Sequence, residues 1–153
     1  MGLRLAVVNG PKLDRLGERE PELYGQVSHS QLAESCLQWG RDHGHQVQVR
    51  QADGEGDLVG ILHELGASCD GLVLNAGAYT HTSVAMRDAV AGLNLPVVEL
   101  HITNPDAREA FRRRNFLVDV VTAGIRGFGI NGYILALDGL AGLLQADSRR
   151  AGP

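Results

Sequence analysis

A set of short apolar runs decides what this chain can fold into. Residues 3–8, 72–74 and 97–100 are each too short and too continuously apolar for an amphipathic helix, and each opens into a polar loop. Runs of that kind are the central strands of a parallel sheet covered on both faces. Between them lie stretches with helical periodicity. Ser28 or Ser30 offers an N-cap to a helix through Leu32, Cys36, Leu37 and Trp39 that fades at Gly44. Residues 46–52 alternate apolar and polar positions around Val47 and Val49, as a half-buried strand does. After a turn at 53–56, Asp57 caps a helix carrying Leu58, Ile61, Leu62 and Leu65, broken by Asp70-Gly71. Ser83 caps another through Met86, Ala89, Val90 and Leu93, and Pro96 stops it.

Further along, Asn104-Pro105-Asp106 is a helix start, with a capping side chain, proline in the first turn and an acid at the positive end of the dipole. That helix carries Arg108, Phe111, Arg112, Arg113 and Arg114. Residues 118–125 read as a fifth strand, and Gly127 and Gly129 form the turn before a last helix from about Gly132 through Leu144. Five strands alternating with five helices predict an α/β fold: a flavodoxin-like five-stranded parallel sheet in a doubly wound three-layer sandwich. A chain of 153 residues fits one domain of this type, drawn here over 1–146 with a flexible tail at 147–153.

Charge and composition narrow the function. A net charge of −4 and an isoelectric point near 5.8 predict no general attraction to nucleic acid or to an anionic membrane. No apolar run approaches the ~20 residues of a membrane span, which predicts a cytoplasmic protein without membrane contact. Cys36 and Cys69 lack a partner motif and read as reduced, semi-buried thiols. No Cys or His cluster has the spacing of metal ligands, so no metal site is expected.

In a sheet of this order the strand C-termini open onto one crevice, where the loops after strands one, three and four meet. Those loops bring Arg19 and Tyr24, then Asn75 and His81, then Glu99, His101 and Thr103. An Arg five residues before a Tyr on a glycine-bounded loop favours the phenolate and makes a general-base pair, although the same loop also reads as an exposed turn with solvated charges. Glu99 and His101 fall on one face of a strand end, which permits a carboxylate to hold the imidazole in one tautomer. His81 and His101 also read as structural or exposed histidines, and the arginines at 112–114 as a solvated helix face. Arg108 and Arg112 nevertheless share one side of their helix, where one of them can bind an anion. The Gly127-Phe-Gly129 segment lacks the spacing of a phosphate loop, so a flavin or nucleotide site has little support.

Taken together, NGPKLDRLGEREPELYG at 9–25, NAGAYTHTSVAMRDA at 75–89, ELHITN at 99–104 and AREAFRR at 107–113 resemble type II 3-dehydroquinate dehydratase. The resemblance runs in order to about Leu140. It implies loss of water from 3-dehydroquinate to give 3-dehydroshikimate, by anti elimination through an enolate and without a cofactor, in the shikimate pathway or in quinate catabolism. It implies Tyr24 as the base, Arg19 as support for the tyrosinate, His101 as general acid and Glu99 as the carboxylate that orients it. Asn75, His81 and Arg112 match residues that hold substrate hydroxyls, and the amides at Ile102 and Thr103 match the carboxylate site. Asp88 matches a residue sent into a neighbouring subunit's site, and the implied assembly is a homo-oligomer, a dodecamer built from trimers.

The chain departs from the family pattern in its first block, where NGPNLN is usual and Lys12 and Asp14 stand here. The family's asparagine at the Lys12 position helps hold a water against the enolate oxygen. A lysine is longer, cationic and donor-only. It is left between direct electrostatic help at that oxygen, reach to a carboxylate, a swing into solvent and an imine with the ketone. The stretch 115–119 and Arg126 also depart, in positions expected to alter subunit packing rather than chemistry. Two further readings stay open on these departures: a paralogue acting on a modified dehydroquinate, and a catalytically weak binding homologue.

Overall fold

The structure is a computed structural model that describes residues 2–18, 20, 22 and 25–152. Arg19 and Tyr24, the base pair expected from the sequence, lie outside the described residues. Strands β1 (Arg4–Asn9), β2 (Gln46–Gln51), β3 (Gly71–Asn75), β4 (Val97–His101) and β5 (Ala123–Arg126) form a five-stranded sheet in the order β2-β1-β3-β4-β5, with every pairing parallel. This is the flavodoxin-like order, and its topological switch point falls between β1 and β3.

Period-two alternation along the central strands builds two cores. Leu5, Val7, Val73, Val98 and Leu100 face one side and pack with helices α1 (His29–His43) and α4 (Gly132–Arg150) through Leu32, Cys36, Trp39, Leu137 and Leu140. Ala6, Val8, Leu72, Leu74 and Val97 face the other and pack with α2 (Glu55–Ser68) and α3 (Val84–Ala91) through Leu58, Leu62, Leu65, Met86 and Val90. The three layers follow from that alternation, because a strand buried on both faces needs helices on both. Cys36 sits in the first core, where burial pushes its thiol up to about 12 and leaves it unreactive.

Local chemistry sets the helix ends. Ser28, not Ser30, caps α1: its hydroxyl accepts from Gln31 N (3.2 Å) while Gln31 Oε1 accepts from Ser28 N (2.9 Å). Gly44, with φ at 70°, closes the same helix in the left-handed conformation. Gly54 is the N-cap of α2, so the helix starts earlier than an Asp57 cap implies, and Asp57 acts instead as an acid in the first turn. Ser83 caps α3 by accepting from Met86 N at 2.9 Å.

Two expected elements differ. The Asn104-Pro105-Asp106 start is real, since Asn104 Oδ1 accepts from Asp106 N at 3.2 Å. It yields only a short 3₁₀ turn at Pro105–Ala107, because Arg108 has extended backbone (φ −113°, ψ −155°), and a second turn follows at Ala110–Arg113. The fifth strand begins at Ala123 rather than 118. The apolar residues before it form a turn in which Leu117 O accepts from Val120 N (3.0 Å) and Val121 N (3.1 Å), with Leu117 fully buried under β3 and α3. At the other end α4 continues beyond Leu144 to Arg150, so residues 147–150, read from sequence as tail, are helical. No helix among the described residues is long and apolar enough to cross a membrane.

Candidate active site

The C-terminal ends of β1, β3 and β4 open onto a cavity of about 270 Å³. It is bounded by Lys12 on the β1 side, Asn75 and His81 after β3, and His101, Ile102 and Thr103 after β4, with Arg108 and Arg112 closing it from the turns beyond. The loops after β1 and β3 are locked together at Gly10. Its amide donates to Asn75 O (2.8 Å), and a Cβ there would sit 2.6 Å from Ala76 O, so only glycine permits the approach.

Asn75 is held by a buried relay. Its Nδ2 donates to Tyr133 Oη (2.9 Å), Tyr133 Oη donates to Asn9 Oδ1 (2.7 Å), and Asn9 Nδ2 donates to His29 Nε2 (3.2 Å). Gly77 N donates to Asn75 Oδ1 at 3.2 Å. These bonds fix the amide orientation of Asn75 and leave its second N–H for the cavity that it lines. Burial holds the Tyr133 phenol far above its ordinary pKa, so it stays a neutral donor. Neither Asn9 nor Tyr133 was visible as a site residue in the sequence.

His81 is oriented by Nδ1, which donates to Arg114 O at 2.7 Å; a carbonyl only accepts, so the proton sits on Nδ1 and Nε2 is left as the acceptor. Its pKa lies below the usual histidine value, chiefly through burial, with His101 and Arg112 pushing the same way against the Arg114 carbonyl and Glu99. The ring stacks near His101, centroids 6.4 Å apart.

Glu99 is 4% exposed at the end of β4. His101 Nε2 lies 3.3 Å from Glu99 Oε1, out of line for a well-formed hydrogen bond, and the sequence-expected pair is thus brought together by distance. Asn115 completes the group, its Nδ2 donating to Oε1 and Oε2 at 3.0 Å each, while Asn115 Oδ1 accepts from Leu117 N (2.7 Å). Burial works against the Glu99 carboxylate, but His101, Asn115 and Arg126 outweigh it and hold the pKa below the ordinary value. Stretch 115–119 therefore enters the site through Asn115, a correction to the expectation that it touches packing alone. Asp119 of the same stretch pairs with Arg87. Arg126 pairs with Asp106 at 2.6 Å beside the site.

Ile102 and Thr103 line the cavity. Arg108 Nη1 donates to Thr103 Oγ1 at 3.4 Å, and Arg112 Nε pairs with Glu109 Oε2 at 2.5 Å. Asp88 lies exposed on α3 and is not among the residues lining the cavity. Lys12 has left-handed backbone (φ 64°, ψ 4°) and its amide donates to Asp53 Oδ1 at 2.9 Å. Left-handed backbone costs an L-residue other than glycine or asparagine about 1–2 kcal/mol, so the conformation is imposed by the loop.

Fold and cavity define a class: an open parallel α/β protein with a cationic crevice at its switch point, equipped for acid–base chemistry on an anion. Comparison with known proteins places it more closely. The profile of the dehydroquinase class II family matches residues 3–141, and the chain belongs to that family. The 3-dehydroquinate dehydratase of Dinoroseobacter shibae is 44% identical over 149 residues, 97% of this chain and 99% of that protein. The 3-dehydroquinate dehydratase of Mycolicibacterium paratuberculosis is 48% identical over 136 residues, 89% and 95% of the two chains. Among solved structures, type II dehydroquinase from Butyrivibrio crossotus superposes with a TM-score of 0.90 at 35% identity, covering 92% of this chain and 98% of that one.

Proposed function

We propose that this chain dehydrates 3-dehydroquinate to 3-dehydroshikimate. The observation that carries the reading is the Asn115–Glu99–His101 group, built on a buried carboxylate at the wall of a cation-rich cavity, within a family whose members bear that activity in their names. A relative in Fusarium vanettenii, 43% identical over 138 residues, is named catabolic 3-dehydroquinase 1, so both a biosynthetic and a quinate-degrading setting fit the reading.

The roles follow from what each group offers. Tyr24, as phenolate supported by Arg19, removes the proton from the carbon beside the ketone. The C–H electron pair becomes a C=C bond and the carbonyl oxygen becomes an enolate. The carbonyl then re-forms, the C–O bond to the leaving hydroxyl breaks, and His101 supplies the proton that makes it water. Glu99, held by Asn115, lies against the imidazole and orients it. Asn75, His81 and Arg112 hold the substrate's hydroxyls, and the amides at Ile102 and Thr103 take its carboxylate. No group need change oxidation state.

A single catalytic domain over 1–146 acting in the cytoplasm, assembled as trimers into a dodecamer, completes the proposal. The exposed position of Asp88 on α3 is compatible with its reaching a neighbouring subunit. Purified protein mixed with 3-dehydroquinate should give the ultraviolet absorbance of the conjugated enone. Tyr24→Phe should abolish that signal while a substrate-like acid still binds, and a flat trace from the folded wild-type protein would overturn the reading.

A further inference from the structure

We infer that His29 is a positioning residue: as a hydrogen-bond acceptor it ends the buried chain through Asn9 and Tyr133 that sets how Asn75 presents its amide to the substrate. The role rests on the dehydratase reading for the substrate, and on the polarity of the chain for the residue.

That polarity is dictated from the far end. Gly77 N can only donate, so the atom of Asn75 that faces it at 3.2 Å is Oδ1. The amide nitrogen of Asn75 is then the group that meets Tyr133 Oη at 2.9 Å. With that oxygen accepting, the phenol's one proton goes to Asn9, whose facing atom at 2.7 Å is Oδ1. Asn9 is left to offer its Nδ2 to His29 Nε2 at 3.2 Å, and the N–H needs a lone pair there. The ring proton of His29 therefore sits on Nδ1. Each assignment forces the next, from the loop after β3 to the first residue of α1.

The opposite polarity ends in a clash of donors. A protonated Nε2 would donate to Asn9 Oδ1, Asn9 Nδ2 to Tyr133 Oη, and Tyr133 Oη to Asn75 Oδ1. Asn75 Nδ2 would then point at Gly77 N, and the cavity that Asn75 lines would meet a carbonyl oxygen in place of an N–H. Protonation of His29 thus leaves two outcomes. Either the bond to Asn9 breaks and strands a buried amide, or the amide of Asn75 turns over. Water does not relieve the conflict inside the chain, since Asn9 and Tyr133 are fully buried and Asn75 is 4% exposed.

His29 is the half-buried end of this sealed chain, and so the member that exchanges protons with solvent. The charged group that acts on it among the described residues is Asp14, from the turn at Leu13–Arg15, which favours the imidazolium. Burial opposes Asp14 and wins, and the positive end of the α1 dipole acts in the same direction as burial. Tyr133, reaching in from α4, carries no charge. The imidazole is therefore neutral at pH 7 and becomes protonated under mild acid.

Asn75 holds a substrate hydroxyl before and during the reaction alike, so its disturbance acts on KM rather than kcat. Substrate and proton then oppose each other across the chain. Protonation of His29 weakens substrate binding, and bound substrate lowers the proton affinity of His29 by the same factor.

The test uses full-length wild-type protein, His29→Gln and His29→Leu, each checked for folding by circular dichroism. Glutamine keeps an acceptor for Asn9 and does not titrate, whereas leucine removes the acceptor. KM and kcat for 3-dehydroquinate are measured from pH 5 to pH 8, and proton release on binding quinate is measured by calorimetry in two buffers of different ionisation enthalpy. At pH 8, His29→Gln should stay within about twofold of wild type, while His29→Leu should raise KM about fivefold and change kcat less than about threefold. Between pH 8 and pH 5 the wild-type KM should climb about fivefold more than that of His29→Gln. Subtracting His29→Gln removes what the other histidines of the site contribute. At pH 5.5 wild type should release more protons on binding quinate than His29→Gln, and the difference should vanish at pH 8.

Parallel KM profiles with equal proton release overturn the inference, as does a folded His29→Leu with wild-type KM. Should His29→Leu fail to fold, His29→Gln alone decides. Wild-type protein that shows the His29-dependent proton release but turns over no dehydroquinate overturns the dehydratase reading and leaves the role of His29 standing. Protein that neither binds quinate nor turns over dehydroquinate overturns both.

Discussion

Asn115 grips both oxygens of Glu99 from a loop sixteen positions along the chain, at 3.0 Å each. The carboxylate is almost fully buried, and without these bonds burial would favour its protonated form. Asn115 is thus a positioning residue that acts through Glu99 on His101. In Asn115→Ala the Glu99 pKa should rise, the acid limb of the kcat profile should move to higher pH, and kcat at neutral pH should fall about tenfold. Unfolding in urea should show a loss of about 1.5–3 kcal/mol, the scale of hydrogen bonds to a charged group. An unmoved acid limb would reduce Asn115 to a packing residue.

Stability should depend on pH in two separate windows. His81 and His29 have folded pKa values below 6.5, burial being the first cause for each. Between those values and 6.5 the unfolded chain binds more protons, so stability is complete above 6.5 and lost as pH falls. Glu99 has a folded value below 4.5, and its contribution, present above 4.5, is lost as pH falls through the folded value. Urea midpoints should therefore rise from about pH 5 to pH 7, with a further loss at about pH 4 and below. His81→Asn should flatten the upper window and leave the lower one. A midpoint that falls from pH 5 to pH 7 would contradict the neutral state of both histidines.

Tyr133→Phe removes one hydroxyl and strands two partners, Asn75 Nδ2 and Asn9 Oδ1. The expected destabilisation is about 1–3 kcal/mol, the cost of leaving buried polar groups unpaired. Because Asn75 loses its fixed orientation, KM should rise several-fold even where the protein stays folded. Wild-type KM in a stable variant would show that Asn75 is positioned by its other contact, with Gly77 N.

Gly10→Ala places a methyl 2.6 Å from Ala76 O, a backbone atom that cannot rotate away. The two loops must part, at a cost of about 1–3 kcal/mol by thermal or urea unfolding. Asn75 and Lys12 flank this contact, so activity should fall as well. A variant with full stability would mean that the loops slide apart freely.

Sequence reasoning reached the strands at β1, β3 and β4 because burial on both faces makes their middles apolar and confines most polar residues to their ends. It misplaced the start of β5 because Leu117, Val120 and Val121 are apolar for another reason. They pack beneath the second core as a turn, and hydrophobicity alone does not separate a buried turn from a strand. The Asn104 capping signal was correctly read, yet the residues beyond it lack an apolar stripe, and Phe111 stands 61% exposed. A start signal without a face to bury gives one turn, not a helix. Glu99, His101, Asn75 and His81 were legible as residues at strand ends. Asn9, Asn115 and Tyr133 were not, because each acts on a partner from another loop or helix and carries no local spacing.

The relay from Asn9 to Tyr133 joins positions 124 apart in the chain. Asn75, bonded to the same phenol at one end of the relay, gains this partner only when α4 has docked. During synthesis, β1, β3 and β4 can all have left the ribosome while the crevice still lacks its last fastening. The cavity is therefore assembled late, and the closing piece arrives from the far end of the sequence. A nascent or truncated chain ending before Tyr133 would expose the strand ends without a fixed amide between them. The enzyme's competence is in this sense a report that its translation has passed the final helix.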